Sequence, residues 1–447
     1  MKLPSQALVW GLFATMLALG CQRKTSQLEP GLEEFVAAKE AQGRQLAQDQ
    51  NLKMPPEGWK VFTAIRSDNF ASAAKFFSQL EVRHSAGPNA LERAKTAVTE
   101  KFGYPTSLNA VESPAWHAIL DAYWAYTLSR QWSNEFLQLA INDIVTTMPT
   151  NAILFAGSDV ARFSISAWAE TRTNGRPCYV ISQTQLADWN FLAYLTNTYG
   201  TKIRLPDANL FTSVFQNEQS SSAGASPATI VKRMNSALAW HIFDQNPRNE
   251  VFVHPYWIFD WMYPRVVPEG PLLKICRDPL PSLPPDSVKA NRQYWSGICG
   301  KLIGDWITEA TTPKEVCDFV EKVYLRHDLS DFEGDPGYVS DTRAQEQFAQ
   351  FRFVTADLYH WRCVQATQLE EKYWMQNEGL VAYMQAFALG PRNSTVAYYF
   401  AEALALINYN DEALQILEIC ISLQPADSDL KEKRDEIRAK AKSAGSN

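Results

Sequence analysis

Short runs of contiguous, mainly apolar residues restrict the fold of this chain more than any other feature of its sequence. Four such runs lie near the middle of the chain: Ala152–Phe155, Cys178–Ile181, Glu250–His254 and Leu272–Cys276. Runs of this length predict strands that are buried on both faces of a sheet. Helical patterns lie between them, and a further strand is expected at Lys202–Leu205. We therefore predict a Rossmann-like α/β domain with parallel strands over residues 149–278.

The residues on both sides of this domain carry helical patterns. Residues 31–148 show apolar stripes at helical spacing, including an α-hairpin made by Trp59–Ile65 and Phe70–Leu80 around the capping turn Ser67–Asn69. A proline-rich stretch after residue 278 marks a boundary. Residues 279–358 are predicted to be helical again, apart from an acidic loop. The predicted fold class is therefore α/β plus all-α.

An internal repeat lies in the last predicted unit, residues 359–447. Four pairs share one spacing: Gly379 with Ala413, Tyr383 with Leu417, Ala386 with Cys420, and Pro391 with Pro425. A period of about 34 residues, with small residues where two helices meet and proline after the second helix, is typical of tetratricopeptide repeats. We expect one good copy and one degenerate copy, with a charged capping helix after them. The alternative is an unrelated helical hairpin.

The N-terminus carries an export signal. From Ala7 to Gly20 the chain is apolar apart from one threonine, and it is shorter than the roughly 20 residues of a spanning helix. Leu17–Cys21 resembles the lipobox of bacterial lipoproteins, in which the cysteine is acylated and becomes the first residue. The resemblance implies a signal peptide over residues 1–20, lipidated Cys21 as a membrane anchor, and a tether over residues 21–30. The alternatives are an ordinary signal peptide and an uncleaved anchor.

The resemblance to lipoproteins also implies a location. Gln22 follows the cysteine, which by the sorting rule of such proteins implies the periplasmic face of the outer membrane. Stable anchoring of this kind needs two or more acyl chains. A formal net charge of −7 argues against a nucleic-acid partner, because neutralising phosphates takes clustered Lys and Arg. The remaining six of the seven cysteines are expected to be buried thiols.

Several short motifs resemble a second family. Asn151–Asp159 with Arg162-Phe163, Asp260–Pro264, Glu269–Ile275 and Val323–Asp328 are similar to segments in the soluble extracytoplasmic tail of bacterial multi-span, glycosyltransferase-like membrane proteins, a domain family of unknown function. The similarity covers roughly residues 110–425. This chain has no counterpart of the membrane half, to which glycosyl transfer belongs in such proteins. The resemblance therefore implies a partner or sensor module and not the enzyme.

Ligands of α/β sheets bind beyond the carboxyl ends of the strands, and three segments are predicted to meet there. Their candidate residues are Gly157, Ser158, Asp159 and Arg162 in the first segment, Gln183, Asp188 and Trp189 in the second, and His254, Tyr256, Asp260 and Trp261 in the third. Carboxylates, amides, an arginine and aromatic rings suit a sugar or another polyol. The alternative is that the aspartates cap helices and the tryptophans fill the core.

We expect no catalysis, metal or cofactor. Asp159, Asp188 and Asp260 could supply the acid and base of glycoside cleavage, but nothing in the sequence sets their separation. Ser158 lacks the second glycine of a nucleophile elbow. The acidic loop His327–Asp341 departs from the calcium-binding pattern, which favours a solvated turn.

The leading hypothesis from the sequence is a non-catalytic, membrane-anchored scaffold that holds a protein partner in the cell envelope. The runner-up is a glycan- or polyol-binding protein, possibly a glycan-processing one, that uses the three loops.

Overall fold

The computed structural model describes residues 30–85, 87, 89–100, 113–131, 134–157, 162–163, 165–167, 178–222, 224–254 and 258–444. Cys21, Ser158, Asp159 and Tyr256 lie outside these residues, as do the predicted signal peptide and nearly all of the tether. The predictions that concern them therefore stay predictions.

Six helices of the described chain precede the sheet: α1 Pro30–Asp49, α2 Pro56–Arg66, α3 Phe70–Ser85, α4 Ala90–Thr99, α5 Pro114–Gln131 and α6 Asn134–Thr147. Helix α5 packs against α1 and α2, and α2 packs against α3. The predicted hairpin is present, because α2 and α3 are joined by a three-residue turn. The Asn69 side chain accepts a hydrogen bond from the Ser72 amide at 2.9 Å and so caps α3.

The sheet has five strands: β1 Ile153–Ala156, β2 Tyr179–Ser182, β3 Val251–Val253, β4 Val266–Glu269 and β5 Leu272–Ile275. Their order is β2-β1-β3-β5-β4. Strand β1 pairs in parallel with β2 and β3, whereas β5 pairs antiparallel with β3 and β4. All residues of β1 and β2 are buried, which explains their unbroken apolar runs. The sheet is therefore mixed, and its parallel part comprises β2, β1 and β3.

Two of the predictions about strands were wrong. Lys202–Leu205 is not a strand. One side chain bonds the backbone of Arg204 instead: Asn246 accepts from the Arg204 amide at 2.8 Å and donates to the Arg204 carbonyl at 2.9 Å. Strand β4 was missed. It contains Pro268, which lacks an amide hydrogen, and such a residue is tolerated there because β4 is an edge strand.

Helices α7 Trp189–Tyr199, α8 Ala208–Ser221 and α9 Pro227–Gln245 separate β2 from β3. Each begins at a side-chain cap that accepts a backbone amide hydrogen: Asp188 for α7, Asp207 for α8 and Ser226 for α9. Helix α7 packs against α5, and α4 packs against α8 and α9. The N-terminal helices are therefore in direct contact with the helices of the sheet unit.

The remaining helices follow the sheet: α10 Pro285–Leu302, α11 Pro313–Val320, α12 Pro336–Ser340, α13 Thr342–Gln365, α14 Leu369–Leu389, α15 Ser394–Leu406, α16 Asn410–Leu423 and α17 Ser428–Ala444. Helix α13 packs along α14, α15 packs along α16, and α16 packs along α17. Pro391 and Pro425 directly follow α14 and α16, where the repeat pattern predicts helix ends. The helices from α12 onward are thus packed in series and joined by short turns, whereas longer connections separate α10, α11 and α12.

One cluster of buried apolar side chains runs from Val36 in α1 through Phe155 in β1 to Ile437 in α17. The sheet lies inside this shared core, and the helical regions pack against it. Within the part of the chain that is described, none of the helices combines the length and the apolarity that crossing a bilayer requires.

Candidate functional site

The residues that follow the three parallel strands lie side by side. The Gln183 amide donates to the Ala156 carbonyl at 2.9 Å, and the His254 amide donates to the Phe155 carbonyl at 2.8 Å. These bonds continue the hydrogen-bond ladder one residue past the strands. They bring Gln183, Gly157 and His254 together at the carboxyl ends of the three parallel strands, which form one edge of the sheet. Gln183 and His254 are fully buried there. This edge is therefore covered by other parts of the protein.

Arg162 is the cation nearest this edge among the predicted residues, and it is buried. Its Nη2 donates to Asp121 Oδ1 at 2.6 Å, and its Nη1 donates to Gln185 Oε1 at 3.1 Å. The guanidinium also lies over the Phe191 ring, 4.9 Å from its centre. Asp121 comes from α5, which the sequence analysis had not connected to the sheet. Arg162 thus links the first loop to the N-terminal helices.

Asp121 collects further partners from two other helices. The Tyr194 hydroxyl of α7 donates to Oδ2, and the Lys39 ammonium of α1 lies 3.5 Å from the same oxygen. The side chains of Lys39, Asp121 and Arg162 are all at most 6% exposed. Burying such charges is costly unless each is paired and hydrogen-bonded. The Asp121 carboxylate therefore joins α1, α5, α7 and Arg162 through buried polar and charged groups.

Asp188 has a structural task of its own. It caps α7 by accepting from the Asn190 amide at 2.9 Å, and it also accepts from Arg93 Nε at 2.9 Å. Trp189, the next residue, packs edge-on against Phe211 of α8. These contacts are those of the alternative in which the aspartate caps a helix and the tryptophan lies in the core.

The third predicted segment separates into two environments. His254 is buried against the edge of Phe351, and burial lowers its pKa to about 3, so its imidazole is neutral. Trp261 packs against Trp240, at the far end of α9, with ring centres 5.1 Å apart. Asp260 is exposed to solvent. In the described contacts, neither Asp260 nor Trp261 touches the network around Asp121.

A cavity of about 80 Å³ lies between α3, α4, α5 and the loop after β2. Its walls include His84, Arg93, Trp116, His117, Thr184 and Asp188. Thr184 and Asp188 belong to the second predicted segment, whereas His84, Arg93, Trp116 and His117 lie outside all three segments. The pair Trp116-His117 in the first turn of α5 was the available signal, but an aromatic pair on a buried helix face is usually core.

His117 is the most unusual group of this cavity. It is buried, and its Nδ1 has no hydrogen-bond partner among the described residues. Burial lowers the pKa of His117 well below its usual range, and the positive charges of Arg162, His84 and Arg93 lower it further. The ring is therefore neutral at pH 7 and holds an unused polar nitrogen.

The residues that line the cavity are better suited to binding a ligand than to catalysing a reaction. Glycoside cleavage needs two carboxyl groups on either side of the bond, and Asp188 is the one carboxylate among the described residues that line the cavity. That carboxylate is already bonded to Arg93 and to the Asn190 amide.

The acidic loop has the solvated character that the sequence favours. Asp328 accepts from the Ser330 amide, Asp335 from the Gly337 amide and Asp341 from the Ala344 amide, each at 2.7 to 2.9 Å. Three of its carboxylates therefore serve turns and helix caps. Across the described residues there is no group of three His, Cys, Asp or Glu placed to hold a metal ion.

The chain matches no protein-family model, no curated protein and no solved structure. Its function is therefore argued from geometry and chemistry.

Proposed function

We propose that this protein is a lipid-anchored protein of the bacterial envelope that acts as a non-catalytic scaffold, with its C-terminal helices as the surface that holds a protein partner. The observation that carries the proposal is the use of its buried and partly buried carboxylates. Asp121, Asp188 and Asp357 each accept bonds from an arginine or a tyrosine on another element. Carboxylates whose hydrogen bonds join two segments of the chain support a rigid scaffold better than a catalytic site.

The C-terminal helices are tied to the sheet unit by polar bonds as well as by the core. The Tyr263 hydroxyl, just before β4, donates to Asp357 of α13. Arg362 of α13 donates to the carbonyls of Leu280 at 2.8 Å and Pro264 at 3.1 Å. These bonds hold the first long helix of the C-terminal region against the sheet, as a docking platform requires.

We interpret α15 and α16 as a tetratricopeptide-like pair capped by α17, and the sheet as a variant of a Rossmann-like unit. Small residues of the repeat support the first interpretation, because Ala397, Ala401 and Ala413 are fully buried between helices. Helix α13, with 24 residues, is longer than an equal repeat predicts. The second interpretation rests on the parallel order of β2, β1 and β3.

The docking surface that we propose lies at one end of the C-terminal helices. Val364, Leu369 and Tyr373 surround the turn between α13 and α14 and are more than 60% exposed. Leu406 and Tyr409 flank the turn between α15 and α16 and are 68% and 48% exposed. Because successive helices alternate in direction, both turns lie at the same end. Exposed apolar side chains of this kind typically mark interaction sites.

Charges beside these turns indicate the chemistry of the partner. Helix α14 begins with Glu370 and Glu371, and α16 begins with Asp411 and Glu412. Carboxylates therefore follow the apolar residues at both turns. We infer a protein partner that presents apolar side chains flanked by Lys or Arg, because complementary charges steer association and select the partner.

The test uses the full chain with Leu369→Glu and Tyr373→Glu, and Val82→Glu as the control. Val82 is 70% exposed on α3, outside the proposed surface. Cross-linking in membranes identifies the partner, and binding of the purified partner to the full chain then gives a Kd. We expect this Kd to rise at least tenfold with each of the two variants and with added salt, but not with Val82→Glu. A partner that binds all variants equally would contradict the docking surface.

The proposed anchor has a separate test, the mass of the purified native protein. We expect loss of residues 1–20 and acyl chains on Cys21. An unmodified Cys21 in a chain that keeps its first 20 residues would refute the anchoring.

The cavity favours a second candidate, a glycan- or polyol-binding protein. Trp116 supplies an aromatic face, and Thr184 and Asp188 supply polar atoms. Glycan-array binding that is lost with Asp188→Asn would support it, whereas binding that persists in this variant would place the glycan elsewhere.

A further inference from the structure

Arg352 of α13 is a positive charge inside the core of the C-terminal helices, where it is 0% exposed. Its Nε donates to Gln385 Oε1 at 2.8 Å and its Nη1 donates to Asn291 Oδ1 at 2.8 Å, so both bonds go to neutral amide oxygens. Among the described residues, no carboxylate lies within ion-pair distance of this guanidinium. A buried charge is costly unless it is paired. Arg352 is therefore a buried cation without a counter-ion in contact.

The carboxylate whose charge reaches Arg352 is bonded to other groups. Glu378 of α14 accepts from Arg292 Nε at 3.2 Å and from its Nη2, and it accepts from Trp374 Nε1 at 3.2 Å. Arg292 also pairs with Glu309, whose side chain is 71% exposed. Burial lowers the pKa of Arg352 in spite of Glu378. The pair of Glu378 with Arg292 therefore leaves the charge of Arg352 without compensation.

Two hydrogen-bond donors beside Arg352 give the second, independent observation. Gln385 Nε2 and Trp295 Nε1 are buried and have no hydrogen-bond partner among the described residues. Gln385 Nε2 belongs to the amide that accepts from Arg352, and the centre of the Trp295 ring lies 5.5 Å from the guanidinium carbon. Both atoms that need a partner are thus N–H donors. A water molecule would bring hydrogens that need acceptors of their own, whereas an anion only accepts.

We propose that a chloride ion binds between α10, α13 and α14, where it accepts hydrogen bonds from Trp295 and Gln385 and neutralises Arg352. The side chains of Arg352, Gln385, Trp295 and Asn291 are at most 1% exposed, so the core can enclose only a small ligand. A monatomic ion meets this condition, and its single charge equals that of Arg352. The inference is independent of the scaffold proposal, since it concerns neither the exposed turns nor the anchor.

The experiment is urea unfolding of the full chain at constant ionic strength, with sodium chloride replacing sodium gluconate, whose anion is too large for the core to enclose. A ligand that binds only the folded chain stabilises it as the ligand concentration rises, and constant ionic strength removes the effect of screening. We expect the urea midpoint to rise along a saturating curve with chloride. Trp295→Phe removes the indole N–H and keeps an aromatic ring, and it should weaken the apparent affinity for chloride at least tenfold.

Gln385→Glu is a sharper test, because it gives Arg352 a fixed carboxylate in place of the ion. In the absence of chloride this variant should be more stable than the unaltered chain, and its midpoint should not depend on chloride. Gln345→Glu is the matched control. Gln345 is equally buried on α13, but its amide donates to the carbonyls of Tyr338 and Val339. This control should lose stability and keep the dependence on chloride.

Bromide locates the ion directly, because it can replace chloride and scatters anomalously. In crystals grown with sodium bromide, we expect an anomalous peak within hydrogen-bond distance of Arg352 and Trp295. The absence of such a peak, a midpoint that does not saturate with chloride, or a Gln385→Glu variant that still depends on chloride would each overturn the proposal.

Discussion

Replacing Asp121 with Asn tests how much the buried network contributes to stability. The change keeps the volume of the side chain, so no cavity is created, but it removes the charge and replaces one of the two acceptor oxygens with an NH2 group. Arg162 and Lys39, whose side chains are 3% and 5% exposed, would then be left without their carboxylate. The variant therefore measures the charge and one hydrogen-bond acceptor of the network together, without a change in packing volume.

The burial of the three groups sets the expected magnitude. Removing one partner of a buried ion pair costs about 3–5 kcal/mol, because the remaining charge keeps its desolvation penalty. Two cations remain here, and either Arg162 or the Tyr194 hydroxyl then faces the NH2 group of the asparagine. We therefore expect the free energy of unfolding to fall by about 3–5 kcal/mol.

Asp68→Asn is the matched control. Asp68 accepts from Arg130 at 2.6 Å and from the Tyr126 hydroxyl at 3.0 Å, so it has the same kinds of partner as Asp121. Its side chain is 20% exposed and that of Arg130 is 28% exposed. A pair open to water contributes about 0–1 kcal/mol. Asn also tolerates the positive φ of 50° that Asp68 adopts, so no strain is added.

The assay is urea unfolding followed by fluorescence of the tryptophans, of which the chain has 14. A midpoint that shifts at unchanged slope reports a change in stability. The reasoning is refuted if the two variants lose the same free energy, because burial would then not determine what the network contributes.

Three further outcomes are expected. Gly390→Ala should destabilise the protein by about 1–3 kcal/mol, because a Cβ there would collide with the Gln345 carbonyl. Gly297→Ala in α10 places its Cβ in open space and should stabilise the protein by about 0.5–1 kcal/mol. Thermal unfolding in which both variants change stability in the same direction would contradict this prediction. Burial lowers the pKa of His254 from 6.5 to about 3, so the unfolded chain takes up a proton first as the pH falls below 6.5. Urea unfolding should therefore show stability lost between about pH 7.5 and pH 5, of which about 2 kcal/mol depends on His254, while His117 contributes to the loss in the same direction. A His254→Gln variant that loses as much stability over this range as the unaltered protein would refute the assignment. Burial raises the pKa of the Cys299 thiol to about 12, so mass spectrometry should find a thiol reagent on the partly exposed Cys276 before unfolding and on Cys299 only afterwards.

The strands show how far local patterns predict the fold. Strands β1, β2, β3 and β5 lie within the predicted apolar runs or one residue beyond them, because burial on both faces leaves a continuous apolar signal. Lys202–Leu205 has a comparable local pattern, yet the Asn246 side chain takes the place of a neighbouring strand. Strand β4 contains a proline that argues against a strand, and its position at the edge of the sheet removes that objection.

The candidate site was less predictable than the fold. The sequence places Gln183 and His254 after parallel strands, and the structure brings them to one edge. It contains no sign that Asp121 faces Arg162, because 41 residues separate them along the chain. The cavity likewise combines His84, Arg93 and His117 from three helices whose mutual packing depends on the whole core.

The sequence by itself indicated the helical regions, four of the five strands and the side chains that are apolar enough to be buried, since periodicity, caps and prolines act over a few neighbouring residues. Only the tertiary structure decided which charges meet. Lys39, Asp121 and Tyr194 lie on three helices far apart in the chain, and Asp121 is the shared partner of Lys39, of the Tyr194 hydroxyl and of Arg162. A buried charge is stable only beside its partner, and the partner is chosen by packing.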